Sequence, residues 1–178
     1  TIYEKGAIMA QNLTTVIKSS KKQVSISRDK GYVIIGERIN PTGRKTLQAE
    51  LKEGKFDMVR RDALAQLAAG AAILDINAGL PRADEAALMV QLIKEVKEAA
   101  DDPCICIDTA NPRALAAALD VYDGKALINS INGEGSSLSA ILPLAKEHGA
   151  ALIALCMDDD GIPASPAGRV AVAGKIID

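Results

Sequence analysis

Five short apolar runs, each closing on polar residues and separated by longer stretches of helical periodicity, constrain this chain more than any other feature. Tyr32–Asn40 (YVIIGERIN), Ala71–Gly79 (AAILDINAG), Cys104–Asn111 (CICIDTAN), Ala126–Gly133 (ALINSING) and Ala151–Asp158 (ALIALCMD) read as strands. Thr46–Ala69, Ala83–Ala100, Pro112–Tyr122 and Ser136–His148 read as the helices between them. In the second of these, Ala86, Met89, Val90, Ile93 and Val96 recur at three- and four-residue steps, the spacing of one helix face. Nearly continuous apolar strands that alternate with helices predict a parallel sheet covered by those helices. The punctuation agrees. Asn111 precedes Pro112 as an N-cap, Ser136 and Ser165 sit at similar helix starts, and Gly70, Gly124 and Gly149 follow helices as C-terminal stops. His148, the only histidine, falls in a last helical turn, where a cation complements the helix dipole.

Each strand carries its polar residues at the C-terminal end. They are Glu37, Arg38 and Asn40; Asp75 and Asn77; Asp108 and Thr109; Asn129, Ser130 and Asn132; and Asp158 with Asp159. Parallel α/β folds hold their ligands at that edge, where loops and helix N-termini converge. The two-residue period of a strand puts Cys104, Cys106 and Asp108 on one face, and does the same for Ile73, Asp75 and Asn77 and for Leu127 and Asn129. Asp75, Asp108 and Asn129 still lie within the apolar pattern. A carboxylate buried there without a partner is costly, so these three point to a ligand.

Composition removes several classes of function. Lys+Arg 21 against Asp+Glu 23 gives a formal net charge of -2, which argues against a basic nucleic-acid binder. One Phe, three Tyr and no Trp leave no platform on which bases could stack, and the core must be built from Ala, Leu, Ile and Val. No apolar run approaches the roughly 20 residues of a membrane span, and the first thirty or so residues lack the order of a secretory signal, so the expected location is the cytoplasm. Cys104, Cys106 and Cys156 read as reduced thiols, two of them buried, and no Cys/His cluster completes a metal site. No P-loop, GxSxG elbow or internal repeat occurs. Gly133-Glu134-Gly135 fails as a nucleotide fingerprint because Leu138 replaces the third glycine. The short basic run Lys18–Lys22 reads as a solvated face.

Val33–Gly43 (VIIGERINPTG), Leu74–Gly79 (LDINAG), Ile107–Asn111 (IDTAN) and Leu127–Ser130 (LINS) occur in this order. Together they resemble the pterin-binding family, which includes dihydropteroate synthase and the methyltetrahydrofolate-dependent methyltransferases. GERIN, LINS and Gly161-Ile162-Pro163 resemble the second branch, the methyltetrahydrofolate:corrinoid methyltransferases, and more distantly the folate domain of cobalamin-dependent methionine synthase.

The resemblance implies a (β/α)8 TIM barrel with the pterin ring held at its C-terminal face. The family's ring-recognising Asp and Asn match Asp108 and Asn129, and the edge of a 2-amino-4-oxo ring offers N–H donors to a carboxylate and mixed groups to an amide. Asp75, Asn77, Glu37 and Asn40 are carried over as residues of the mouth or behind it. The implied reaction moves the N5-methyl of methyltetrahydrofolate to the cobalt of a corrinoid (cobalamin), or the reverse. N5 then needs a proton or strong hydrogen bond as its C–N bond breaks, and no protein nucleophile or resident metal is required. A DxHxxG corrinoid motif is missing around His148, where Lys146 and Ala151 stand in the Asp and Gly positions. The corrinoid is therefore expected on a partner protein, and a homodimer is expected by analogy alone. A full barrel takes about 250 residues; this chain has 178 and five readable strands. The expectation is a barrel over 32–178, cut short at its C-terminal side and holding about the first five βα units. Residues 1–31 read as an extension, a helical segment and then a strand at Gln23–Ser27, capping the barrel bottom. Dihydropteroate synthase-like condensation and a non-catalytic pterin-binding module are the alternatives.

Overall fold

A computed structural model describes residues 13–178. They form β1 (Thr15–Lys18), β2 (Gln23–Ile26), β3 (Ile35–Ile39), α1 (Lys45–Lys52), α2 (Asp57–Ala68), β4 (Ile73–Asn77), α3 (Glu85–Ala99), β5 (Cys104–Asp108), α4 (Pro112–Val121), β6 (Leu127–Asn132), α5 (Gly135–Glu147), β7 (Ala151–Leu155) and α6 (Pro166–Ile177). All five expected strands are present, and they pair in parallel in chain order, β3-β4-β5-β6-β7. Among the described residues β3 and β7 are the free edges of an open sheet, and no helix is long and apolar enough to cross a membrane.

Strand alternation builds two cores. Leu74, Ile76, Ile105, Ile107 and Ile128 point outward and pack on Met89, Leu92, Ile93, Val96 and Leu115 of the helices. On the inner face Ile73, Cys104, Cys106 and Leu127 pack on Ile17 of β1, with Val24, Ile26 and Ile35 around them. The inner face is thus apolar where the strands begin and polar where they end. The β1–β2 hairpin closes the apolar end. Lys18 and Lys125 exchange two backbone hydrogen bonds at 3.0 and 2.8 Å, and Ser20 N–H donates to the Asp102 carboxylate at 2.9 Å. Burial raises the cost of that charge, but hydrogen bonds from Ser20 and the nearby Lys97 ammonium hold the Asp102 carboxyl below its ordinary range.

Four local expectations change. The helix read over Thr46–Ala69 is two helices. Gly54, at φ +69°, donates to Leu51 O, and Lys55 donates to Glu50 O, the paired bonds of a Schellman stop. Gly70 and Gly149 end their helices in the same way, whereas Gly124 serves packing, since a Cβ there would stand 2.2 Å from Lys18 O. Ser136 lies inside α5, whose N-cap is Glu134, while Asn111 and Ser165 cap as expected. The stretch before Gln23, expected to be helical, instead holds strand β1 at Thr15–Lys18, which pairs with β2 as a hairpin; the rest of that expectation, on residues 1–12, lies outside the described residues.

Ile17 is completely buried. Truncating such a side chain removes its transfer free energy and leaves a cavity, so Ile17→Ala is expected to lower the unfolding free energy by about 2–5 kcal/mol. Urea denaturation reads it. A loss within about 0.5 kcal/mol, the level of a surface substitution, would mean that the hairpin does not plug the inner face.

Candidate functional site

The register of the central strands decides which polar residues meet. Asp75 is paired with Cys106, Asn77 with Asp108, and Asp108 in turn with Asn129. All five stand on the inner face, at or near the C-terminal ends of β4, β5 and β6. Two hydrogen bonds then cross between strands. Asn77 Nδ2 donates to Asp108 Oδ2 at 2.9 Å, and Asn129 Nδ2 donates to Asp75 Oδ2 at 3.1 Å. Each bond to a carboxylate contributes roughly 1.5–3 kcal/mol net, and each removes a desolvation penalty that an unpaired group would carry. Asp108 Oδ1 and Asn129 Oδ1 have no hydrogen-bond partner among the described residues, and both residues are half-buried at the open side of the sheet.

Asn77 is fixed twice. Its oxygen accepts from Gly79 N–H at 2.8 Å, and a Cβ on residue 79 would crowd that oxygen at 2.9 Å, so the glycine of LDINAG permits the turn. Asp75 is 4% exposed. Burial pushes its carboxyl above the usual range, outweighing hydrogen bonds from the Cys106 thiol and the Asn129 amide, and the charges of Asp108 and Glu37 push it the same way. Cys106 is itself driven far up by burial and by the Asp75 charge, so its S–H stays a donor. Three carboxylates, Glu37, Asp75 and Asp108, therefore share one electrostatic neighbourhood.

Glu37 and Asn40 make no hydrogen bond to the interlocked four among the described residues. They line a cavity of about 610 Å³ at the edge strand β3, with Arg38, Thr42, Arg44, Asp62 and Gln66. Asn40 Oδ1 accepts from Thr42 N–H at 2.9 Å, which shapes the loop. Arg44 pairs with Asp62 at 2.6 Å. Gln66 Oε1 accepts the Arg38 N–H at 2.7 Å, at an irregularity in the β3–β4 register, and its Nε2 is buried without a partner. The structure brings Asp75, Asn77, Asp108 and Asn129 into one group and places Asn40 outside it.

Other motif residues have local roles that the sequence did not disclose. Thr109 Oγ1 donates to Glu85, and Asn111 Nδ2 donates to the same carboxylate at 3.1 Å, so IDTAN ties the end of β5 to the start of α3. Glu85 three residues before Leu88 gave no signal, because its partners arrive from another strand. Asp158 and Asp159 lie beyond β7, in a turn where Asp158 accepts from Asp160 N–H at 3.1 Å. Among the described residues no group of His, Cys, Asp and Glu is arranged to hold a metal ion. Asn129 and Ser130 are joined by a cis peptide bond.

The family model described as pterin binding enzyme matches residues 36–171. The chain is 31% identical over 151 residues to a methylcorrinoid:tetrahydrofolate methyltransferase of Eubacterium limosum, covering 82% of this chain and 54% of that protein. It is 28% identical over 166 residues to a methionine synthase of Mycobacterium tuberculosis, covering 90% of this chain and 14% of the synthase. The chain thus spans about half the length of the first relative and a small part of the second. Among solved structures, a 7,8-dihydropteroate synthase from Vibrio fischeri aligns with a TM-score of 0.50 at 22% identity, over 79% of this chain and 48% of that one. That likeness is one of fold.

The raised Asp75 pKa has a consequence for stability. The folded state holds this proton more tightly than the unfolded chain, so Asp75 subtracts stability as pH rises from the unfolded carboxylate range through its folded value. Asp75→Asn removes that subtraction while keeping an oxygen for the Asn129 amide. Melting temperatures of the two proteins are expected to differ by a few degrees at pH 7 in favour of Asp75→Asn, and to converge toward pH 4. A gap that stays constant with pH would contradict the assignment.

Proposed function

Because this chain belongs to the pterin-binding enzyme family, we propose that the rim of β4, β5 and β6 grips the ring of a reduced folate, with Asp108 and Asn129 as its direct contacts. The observation that carries the reading is the pair of neighbouring oxygens, Asp108 Oδ1 and Asn129 Oδ1, left open after their other atoms are engaged by Asn77 and Asp75. A 2-amino-4-oxo-pterin presents ring N–H and amino donors along its edge, which suits two adjacent acceptors. Asp75 and Asn77 support the pair, and Glu37 and Asn40 flank it from β3.

The reaction we propose is transfer of the N5-methyl group between methyltetrahydrofolate and the cobalt of a corrinoid carried by another protein. The match to the methylcorrinoid:tetrahydrofolate methyltransferase supports this choice over pterin condensation. A corrinoid, when present, supplies a nucleophilic metal centre. The residues of this chain supply grip and alignment: anchoring the pterin ring at the inner face fixes the direction of its N5 substituent and lowers the entropic cost of encounter. A corrinoid protein is the proposed partner, and association of two copies of the chain is proposed with it.

Calorimetric titration with methyltetrahydrofolate tests the ring site. Asp108→Ala and Asn129→Ala are each expected to weaken binding by at least about tenfold, the loss of one good hydrogen bond to a buried partner. Unchanged affinity in either variant would remove that residue from the site. Incubation with a methylated corrinoid protein and tetrahydrofolate, followed through the corrinoid absorbance spectrum, separates methyl transfer from binding alone. Consumption of a pterin pyrophosphate with p-aminobenzoate would instead favour the condensation.

A further inference from the structure

Asp75 and Asn77 share the rim with Asp108 and Asn129, yet the bonds they make are to those two side chains. Asp75 is nearly inaccessible, with Cys106 paired beside it on β5 and the Asn129 amide donating from β6. A primary amide has a donor end and an acceptor end, and its bonds decide which end faces a ligand. With Nδ2 committed to Asp75, Asn129 offers Oδ1. Asn77 has no such choice left: Gly79 N–H fills its oxygen and Asp108 takes its nitrogen. That leaves Asp108 to offer its second oxygen.

We propose that Asp75 and Asn77 are positioning residues that write the acceptor pattern read by the site: Asp75 turns the Asn129 oxygen outward, and Asn77 turns out the free oxygen of Asp108. The identity of the ligand rests on the folate reading above, whereas the orientation of Asn129 does not. A pattern of two acceptors favours a ring edge bearing N–H donors and rejects one bearing acceptors at the same places, since those would leave oxygens facing lone pairs. The ionisable groups facing Asp75 are Glu37 from β3 and Cys106 and Asp108 from β5; β6 contributes the neutral Asn129.

A double-mutant cycle on methyltetrahydrofolate affinity tests the proposal. Asp75→Ala is expected to weaken binding about tenfold, and Asp75→Asn to recover most of that loss, because its amide oxygen still accepts from Asn129. In an Asn129→Ala background, Asp75→Ala is expected to cost less than about twofold more. Losses that multiply independently, or Asp75→Asn as damaging as Asp75→Ala, would show that Asp75 meets the ligand itself and would overturn the proposal.

A ligand-free measurement completes the test. The side-chain amide signals of Asn129 in a nitrogen-15 NMR spectrum should move with the ionisation of Asp75 in the parent protein and lose that movement in Asp75→Asn. Signals indifferent to both pH and the substitution would overturn the proposal whatever the ligand. Coupled signals in a protein that fails to bind methyltetrahydrofolate would leave the positioning role standing and remove the folate reading.

Discussion

The crossing bonds between β4, β5 and β6 are the constraint on which the rest of this molecule turns. Two amides and two carboxylates on the inner face satisfy one another across strands, Asn77 with Asp108 and Asn129 with Asp75. Without that exchange the same face would bury an unpaired carboxylate at a cost of several kcal/mol. With it, the sheet can carry charge into a half-buried position and still leave one oxygen of each outer pair open. The bonds exist only because the strands run parallel in chain order with a register that sets Asn77 beside Asp108 beside Asn129.

The opposite end of the same face is treated differently. Ile73, Cys104 and Leu127 are covered by Ile17 from the hairpin, so one surface of the sheet changes from sealed and apolar to open and polar within a few residues. Cys106 sits at the transition. It packs with the apolar plug, yet it is also paired beside Asp75, so the hydrophobic floor meets the polar rim there. The helices are occupied on the outer face, where Leu74, Ile76, Ile105 and Ile107 bury against α3 and α4. The outer face therefore serves stability alone, whereas the inner face serves stability at its apolar end and site geometry at its polar end.

Much of this architecture is legible in the amino-acid sequence. The apolar runs gave five strands in their right order, and the two-residue period put Asp75 with Asn77 and Cys106 with Asp108 on shared faces. What the sequence withheld was pairing between distant residues. That Asn129 would be bound to Asp75, and Asn77 to Asp108, depends on register, which no local pattern encodes. Glu85 was opaque for the same reason, since its partners Thr109 and Asn111 come from the following strand and its loop. The break at Gly54 was a different failure. Alanine- and leucine-rich segments on either side sustain helical spacing through it, and only the left-handed backbone of the glycine separates them. Glu37 and Asn40, placed at the mouth by motif, line a cavity at the edge strand β3, whose register with β4 is irregular.

Gln66 gives that edge a further character. A strand at the margin of a sheet ordinarily advertises its amide hydrogens to any chain that drifts alongside, but here the Arg38 N–H is already taken by a glutamine side chain from the covering helix. The side chain acts as a stopper in an open seam. At that residue β3 has nothing to offer a passing strand unless the glutamine first lets go, and the Arg38 carbonyl is in turn taken by the Arg44 guanidinium, so the margin is guarded there against indiscriminate lamination.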